Sequence, residues 1–156
     1  MEIIEYFSDK NKEHWRREIS AAQWSAAGFL VHLLDNDEER ENALGEYAKL
    51  FLMTDAKRLV SFCTLSIKDC IEDDKLFPWI GFVYTFPEYR GNRFSEKLIS
   101  HAENTALENG WSRAYIATDH IGLYEKYGYV YMESRKDCWG ELSRIYYKNL
   151  IAEELK

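Results

Sequence analysis

The alternation of hydrophobic and polar residues predicts an ordered succession of strands and helices. Short runs rich in β-branched and aromatic residues, bounded by turn residues, are typical of strands. The predicted strands are Met1–Phe7, Ala48–Thr54, Arg58–Ile71, Leu76–Phe86 (starting near Trp79, because of Pro78), Ala114–Ala117, Tyr129–Met132 and Leu142–Lys148. Antiparallel hairpins come first and a strand–helix–strand crossover follows. This order predicts a single α+β domain over residues 1–156, a mixed and mostly antiparallel sheet flanked by helices.

Helices are predicted where apolar residues recur at three- and four-residue spacing. From a cap at Ser8 or Asp9 as far as Leu34, the spacing predicts one helix, or two helices broken near Gly28. Further helices are predicted from Phe94 to a stop at Asn109-Gly110, and over Ile121–Tyr127.

The amino-acid composition argues against several classes of protein. With 46% hydrophobic residues the chain can fill a core, which excludes wholesale disorder. Its 20 Lys and Arg against 27 Asp and Glu give a net charge of -7, which argues against nucleic acid and anionic membranes as partners. No apolar run approaches the ~20 residues that span a bilayer, and the N-terminus does not resemble a signal peptide, so a cytoplasmic location is expected.

The cysteines and histidines predict no metal site. Cys63, Cys70 and Cys138 are odd in number, widely spaced and outside any C-x-x-C pair, so we expect three reduced thiols. The four His residues form no cluster with them at ligand spacing, and a structural zinc is not expected.

Acidic residues concentrate in two segments, 35–41 and 69–74. The first is interpreted as a solvated helix start or loop, or alternatively as an acidic lip over a site for a cation. Any cationic ligand should therefore approach from the N-terminal side of a cleft.

The strongest chemical signal is the strand–turn–helix at residues 79–108. A helix start presents unpaired backbone N–H groups and the positive end of the helix dipole, which suit a phosphate or pyrophosphate. Gly91 allows close approach of an anion, and Arg90 and Arg93 add positive charge. On its own this segment also fits an ordinary β–α turn.

Two spaced motifs carry a family resemblance. Residues 87–99, Pro-Glu-Tyr-Arg-Gly-Asn-Arg-Phe-Ser-Glu-Lys-Leu-Ile, resemble the acyl-CoA loop of the GCN5-related N-acetyltransferases (GNAT). Residues 122–129, Gly-Leu-Tyr-Glu-Lys-Tyr-Gly-Tyr, resemble the family's second signature. The predicted element order is also the family's order, so the resemblance covers nearly the whole chain and implies the acyl-CoA N-acyltransferase fold.

The resemblance implies acetyl-CoA as cosubstrate, without a metal. The pantetheine would lie in a gap beside the strand that precedes the loop, and the implied contacts are Val83, Tyr84, Thr85, Arg90, Gly91, Asn92, Arg93, Phe94 and Ser95. Arg93 and Ser95 depart from the family pattern, which has Gly and then Gly or Ala there. Backbone N–H donors survive both changes, but the side chain at position 93 must turn away from the pyrophosphate.

The resemblance also implies a catalytic acid. Tyr124 occupies the place of the family's catalytic tyrosine, and a phenol of pKa about 10 can donate a proton or hydrogen bond to a departing thiolate. Tyr127 is the second choice. No base is identifiable: Asp119 or His120 could act directly or through water, could simply serve as a cap and a loop residue, or could be replaced by a relay of waters. Trp79 is the candidate for acceptor binding.

These observations predict an N-acetyltransferase that moves acetyl from acetyl-CoA to a primary amine by direct attack. The acceptor would be a small-molecule or peptide amine, and the protein a monomer or homodimer. The alternative is a non-catalytic acyl-CoA-binding or regulatory module with a degenerate pyrophosphate loop.

Overall fold

The computed structural model describes residues 1–151, so the last five residues of the predicted domain, 152–156, lie outside the described residues. The strands are β1 (Glu2–Glu5), β2 (Ala48–Asp55), β3 (Arg58–Ser66), β4 (Trp79–Thr85), β5 (Arg113–Thr118), β6 (Val130–Lys136) and β7 (Leu142–Asn149). The helices are α1 (Lys12–Ser20), α2 (Ser25–Asp35), α3 (Asp37–Leu44) and α4 (Phe94–Glu108).

The strands form one seven-stranded sheet in the order β1-β2-β3-β4-β5-β7-β6. Strands β4 and β5 run parallel, with α4 as their crossover helix, and the other neighbouring strands run antiparallel. The predicted α+β class, with a mixed and mostly antiparallel sheet, is therefore confirmed.

The helices cover both faces of the sheet. Helix α4 buries Leu98, Ile99 and Ala102 in a core cluster with residues of β2, β3 and β5. Helices α1 and α2 bury Ile19 and Leu30 in a second cluster on β2 and β3. Helix α4 and the α1–α2 pair therefore lie on opposite faces of the sheet.

The predicted break of the first helical segment is wrong in position. The chain breaks before Ser25, at an extended Trp24, and Gly28 lies inside α2 with open space where a side chain would stand. The Trp24 ring stacks on Tyr84 at 5.4 Å. Because the break depends on this tertiary contact, the helical spacing of apolar residues continues across it and does not indicate its position.

Strand β3 is shorter than predicted. It ends at Ser66, whose hydroxyl donates to the Lys68 carbonyl at 2.7 Å, and the Lys68 N–H donates to the Leu44 carbonyl at 3.0 Å. Ile71 is still buried, but in a small core cluster and not in the sheet. The apolar content of residues 67–71 therefore reflects a packed connection.

One further segment differs from the prediction, and the acidic segment 35–41 agrees with the predicted helix start. Only Tyr124–Tyr127 of the predicted helix at 121–127 is helical, as a 3₁₀ turn. The acidic segment forms α3, with Asp37, Glu38 and Glu39 in its first turn, where carboxylates favour a helix start. No helix within residues 1–151 is long and apolar enough to cross a membrane.

Candidate active site

A gap opens between β4 and β5. The two strands pair only at Trp79 and Tyr115, where the Tyr115 N–H donates to the Pro78 carbonyl at 3.0 Å. Past this point β4 bends away, because Phe82 adopts a left-handed φ of 49° and the β3–β4 register shifts between Phe62 and Thr64. The edges of two parallel strands therefore face each other unpaired.

The loop after β4 presents a row of free backbone donors. Among the residues that the structure describes, none accepts a hydrogen bond from the N–H groups of residues 91–96. The next donor, Lys97, already bonds to the Arg93 carbonyl at 3.3 Å. Gly91 has a φ of +87°, and α4 follows with 15 residues. Free amides at the start of a long helix form an anion site.

The two arginines of this loop have protein partners. The Arg93 guanidinium binds the Glu96 carboxylate through two contacts of 2.6 and 2.9 Å, so its charge is paired at the start of α4. Arg93 itself takes a left-handed φ of 59°, which explains why the family pattern has glycine there. Arg90 Nε donates to the Thr85 carbonyl at 2.9 Å and its guanidinium lies over the Tyr84 ring. Asn92 donates to the Tyr89 carbonyl at 3.0 Å.

The side chains of Val83, Tyr84 and Thr85 are used for packing. Val83 packs against the cluster under α4, and Tyr84 belongs with the cluster under α1 and α2. The Thr85 hydroxyl lies 2.9 Å from that of Ser61. Any contact of this stretch with a ligand in the gap would therefore use main chain.

Tyr124 lies in the 3₁₀ turn on the α4 side of the sheet and is 5% exposed. Its hydroxyl has no hydrogen-bond partner within residues 1–151, yet it is not one of the two enclosed polar atoms without a partner, Thr64 Oγ1 and Trp79 Nε1. The hydroxyl therefore keeps accessible surface. Burial, with smaller contributions from Cys63, Tyr127 and Asp119, raises the pKa of Tyr124, so the phenol holds its proton at neutral pH.

Neighbouring side chains hold this turn. The hydroxyl of Tyr127 lies 3.0 Å from Ser95 Oγ at the start of α4, so the departure from Gly or Ala at position 95 supplies a link to the turn. Glu125 accepts from the Gly122 N–H at 2.8 Å and from the Tyr146 hydroxyl at 3.0 Å. Sequence reasoning missed Glu125 as the residue that fixes the turn.

Asp119 and His120 follow β5 and are exposed. The His120 N–H donates to Thr118 Oγ1 at 3.1 Å. Asp119 caps no helix, because the 3₁₀ turn begins only after Leu123. The carboxylate of Asp119 is close enough to contribute to the raised pKa of Tyr124, so the structure brings these two predicted residues together.

Trp79 does not line any open site in this structure. It is 0% exposed, its ring centroid lies 5.5 Å from that of Tyr115, and its indole nitrogen is enclosed. We therefore correct the assignment of Trp79 to acceptor binding. It is the first residue of β4 and a core residue at the point where the gap begins.

A cavity of about 660 Å³ lies on the α2 side of the sheet, next to the bend in β4. Its aromatic wall is Phe29, Phe82 and Trp139, and its acidic wall includes Asp69 and Glu72 of the connection between β3 and β4. Phe82 also forms the bend beside the gap, so cavity and gap adjoin. The acidic segment was visible in the sequence, but the aromatic residues are far apart along the chain and only folding brings them together.

Two carboxylates of the other acidic segment, 35–41, are paired with arginines. Asp35 binds Arg16 through contacts of 2.7 and 2.6 Å, which lowers the pKa of Asp35. Asp37 pairs with Arg40 at 3.1 Å. Segment 35–41 therefore contains the start of α3 and does not line the cavity. The negative wall of the cavity comes from segment 69–74.

The comparisons with known proteins agree with this geometry. Among solved structures, an aminoglycoside 6'-acetyltransferase type Ii superposes with a TM-score of 0.71 at 18% identity, covering 98% of this chain and 99% of that one. An aminoglycoside 6'-N-acetyltransferase from Enterococcus faecium gives 0.71 at 15% identity, with coverages of 98% and 99%. A GNAT-family acetyltransferase from Desulfovibrio desulfuricans gives 0.70 at 12% identity, with 96% and 99%.

Among curated protein sequences, none matches this chain. The family model described as "Acetyltransferase (GNAT) family" matches residues 5–129. That match contains the gap between β4 and β5, the row of free amides and the turn with Tyr124. The chain therefore belongs to the acetyltransferase (GNAT) family.

Proposed function

We propose that this protein transfers the acetyl group of acetyl-CoA to a primary amine of a small cationic molecule, with Tyr124 as the general acid. The observation that carries the proposal is the row of free N–H groups at residues 91–96, beside a gap that runs along β4. A related aminoglycoside 6'-N-acetyltransferase was solved with coenzyme A, and it superposes with a TM-score of 0.68.

The loop supports binding of a pyrophosphate. The donors of residues 91–96 are main-chain amides, so the Arg and Ser at positions 93 and 95 leave them available. The Arg93 side chain is held by Glu96 and accepts no hydrogen bond from them. A degenerate loop would be expected to lack free donors, whereas no described residue accepts a hydrogen bond from the N–H groups of residues 91–96.

Acetyl-CoA supplies an activated thioester, and the residues around the gap would direct its transfer. A backbone N–H of β4 near Val83 would stabilise the negative charge that develops on the carbonyl oxygen. The Tyr124 phenol, kept protonated by burial, would donate to the sulfur as the C–S bond breaks.

The cavity supports a cationic amine as acceptor. Its volume of about 660 Å³ suits a drug-sized molecule. Aromatic rings and carboxylates on its walls are the groups that bind ammonium ions through cation–π contacts and charge attraction. Three of the similar structures are aminoglycoside acetyltransferases, and aminoglycosides are therefore the first acceptors to assay. The cytoplasmic location and the monomer or homodimer stay predictions.

The test compares wild-type protein with Tyr124→Phe and the matched control Tyr127→Phe. Release of free thiol from acetyl-CoA over a panel of amines gives turnover, and calorimetry gives acetyl-CoA affinity. We expect Tyr124→Phe to lower kcat about 100-fold, the effect of losing a general acid, with little change in affinity. Tyr127→Phe loses only its bond to Ser95 and should retain most activity.

The outcomes separate the alternatives. Equal turnover of Tyr124→Phe and wild type with a good acceptor would show that Tyr124 is not the acid. Binding of acetyl-CoA by wild type without turnover on any amine would favour the non-catalytic acyl-CoA-binding module. Absence of binding would refute both functions.

A further inference from the structure

Strand β4 carries no carboxylate or histidine along the gap, so it offers no group to deprotonate an incoming ammonium. At Gly81, two residues past the last β4–β5 pair, it lacks a side chain altogether. The space beside Gly81 is nevertheless filled. A methyl group added there would lie 2.9 Å from Asp69 Oδ1 and 3.2 Å from Oδ2.

Asp69 reaches this place from the connection between β3 and β4. That connection leaves the sheet after Ser66 and returns along the cavity wall, so a residue three positions past β3 lies over β4 at its bend. The carboxylate thus faces both the cavity and the beginning of the gap. Only a glycine at position 81 permits this approach, because any β-carbon would displace the carboxylate.

The surroundings leave Asp69 without a cation. Within residues 1–151 no Lys, Arg or His nitrogen lies within 4 Å of its carboxylate. Asp73 of the same segment, in contrast, binds Arg135 at 2.8 Å. Among the described residues, the only side-chain hydrogen bond to Asp69 comes from the Cys70 thiol, a weak donor at 4.0 Å.

Among the charged groups that line the cavity with Asp69 there is one cation, Lys68, and within residues 1–151 it makes no ion pair with Asp69. The other titratable groups are Cys70, Glu72, Asp73 and Asp74 on the same segment, and Asp137 and Cys138 on the turn between β6 and β7. Helices α2 and α3 present Phe29, Asn42, Ala43 and Leu44 to the cavity, and β4 presents Phe82, so these elements bring no charge to its lining. Burial raises the pKa of Asp69 to about 6, so the carboxylate is ionised at neutral pH but basic enough to accept a proton.

We propose that Asp69 is the proton acceptor for the acceptor amine, placed over Gly81 on the face of the sheet opposite Tyr124. This inference rests on the proposed function and completes it. Tyr124 lies on the α4 side, where the thiol would leave, and Asp69 lies on the α2 side, from which the cavity admits the amine. The general acid and the general base would thus act on the same thioester carbonyl group from opposite faces of the sheet.

The protons balance. A bound primary ammonium has three, of which one stays on the amide product, one ends on the coenzyme A sulfur and one is released. Asp69 takes the released proton, the nitrogen forms its bond to the carbonyl carbon, and the C–S bond breaks as Tyr124 donates its hydroxyl proton to the sulfur. A second proton of the amine then replaces the one that Tyr124 has given, so the phenol is restored. Asp69 then returns its proton to solvent through the open cavity.

The test is the pH dependence of kcat in Asp69→Asn, with an acceptor on which wild type is active. We expect kcat near pH 7.5 to fall about 100-fold, and the acidic limb of the wild-type profile, with its apparent pKa near 6, to disappear. Acetyl-CoA affinity should not change. Asp74→Asn, another carboxylate lining the cavity, is the matched control and should keep the acidic limb.

A second variant moves the carboxylate without removing it. Gly81→Ala should displace Asp69 and lower kcat, while acetyl-CoA binding persists. Unchanged kcat and an unchanged acidic limb in Asp69→Asn would overturn the assignment and leave the acetyltransferase proposal intact. A wild-type protein that acetylates no amine would instead refute the proposed function.

Discussion

The two sides of the gap along β4 are built in different ways. The side that continues into α4 offers main-chain N–H groups at residues 91–96, and its arginines bind other parts of the protein. The side facing α2 offers side chains: the aromatic rings of Phe29 and Trp139 and the carboxylate of Asp69. Ligand binding on the first side would depend on the conformation of the backbone, and ligand binding on the second side would depend on particular side chains.

The difference follows from the proposed ligands. A pyrophosphate is the same in every acetyl-CoA, and amides at a helix start bind it whatever side chains they carry. An acceptor amine is recognised by charge and shape, which only side chains supply. Substitutions in the loop should therefore matter when they change the backbone, and substitutions in the cavity when they change a side chain.

The largest expected effect in the loop concerns a backbone donor. Ser95→Pro removes one N–H in the first turn of α4, where proline is tolerated. Losing one hydrogen bond to a charged group costs about 2 kcal/mol, so acetyl-CoA affinity measured by calorimetry should fall about 30-fold.

The matched variant Ser95→Ala keeps the N–H and loses only the contact with Tyr127, so its affinity should stay within about 3-fold of wild type. Equal losses in the two variants would show that the side chain, and not the backbone, binds the cofactor.

A smaller effect is expected for stability on the cavity side. The raised pKa of Asp69 means that, between about pH 4 and 6, the folded state keeps a proton that the unfolded chain releases. The free energy of unfolding therefore falls as pH rises through this window. Asp69→Asn should be more stable than wild type by about 1–2 kcal/mol at pH 7.5 and lose this advantage below pH 4.

Urea denaturation at the two pH values measures this difference. A variant that is less stable than wild type at pH 7.5 would show that Asp69 holds the fold together. The expected combination, lower turnover with higher stability, is typical of a residue kept for function.

The smallest expected effect concerns the rim of the cavity. Trp139 is 60% exposed and its ring meets Phe29 edge-on at a centroid distance of 5.5 Å. Trp139→Ala removes one aromatic wall, so KM for a cationic acceptor should rise about 5-fold, the size of an exposed cation–π contact. Steady-state kinetics would check this. A matching loss of acetyl-CoA affinity would contradict the separation of the two sides.

Local patterns were sufficient for the strands and for α4. Its apolar spacing, with the stop at Asn109-Gly110, predicted a helix that the structure ends at Glu108. Patterns failed where a tertiary contact decides the outcome. Trp24 breaks the helical segment by stacking on Tyr84, and the apolar residues of segment 67–71 belong to a packed connection between strands and not to a strand. Trp79 was predicted to bind the acceptor because its position at the start of β4 does not reveal that its side chain is buried in the core.

The sequence by itself determined the family, the α+β order and the loop motif, because each depends on residues close together along the chain. Only the tertiary structure decided that the Tyr124 hydroxyl has no partner within residues 1–151 while that of Tyr127 has one, and that Asp69 stands over Gly81. These features depend on contacts between residues of separate elements. No spacing along the chain encodes them, because they depend on how the elements pack and where β4 bends.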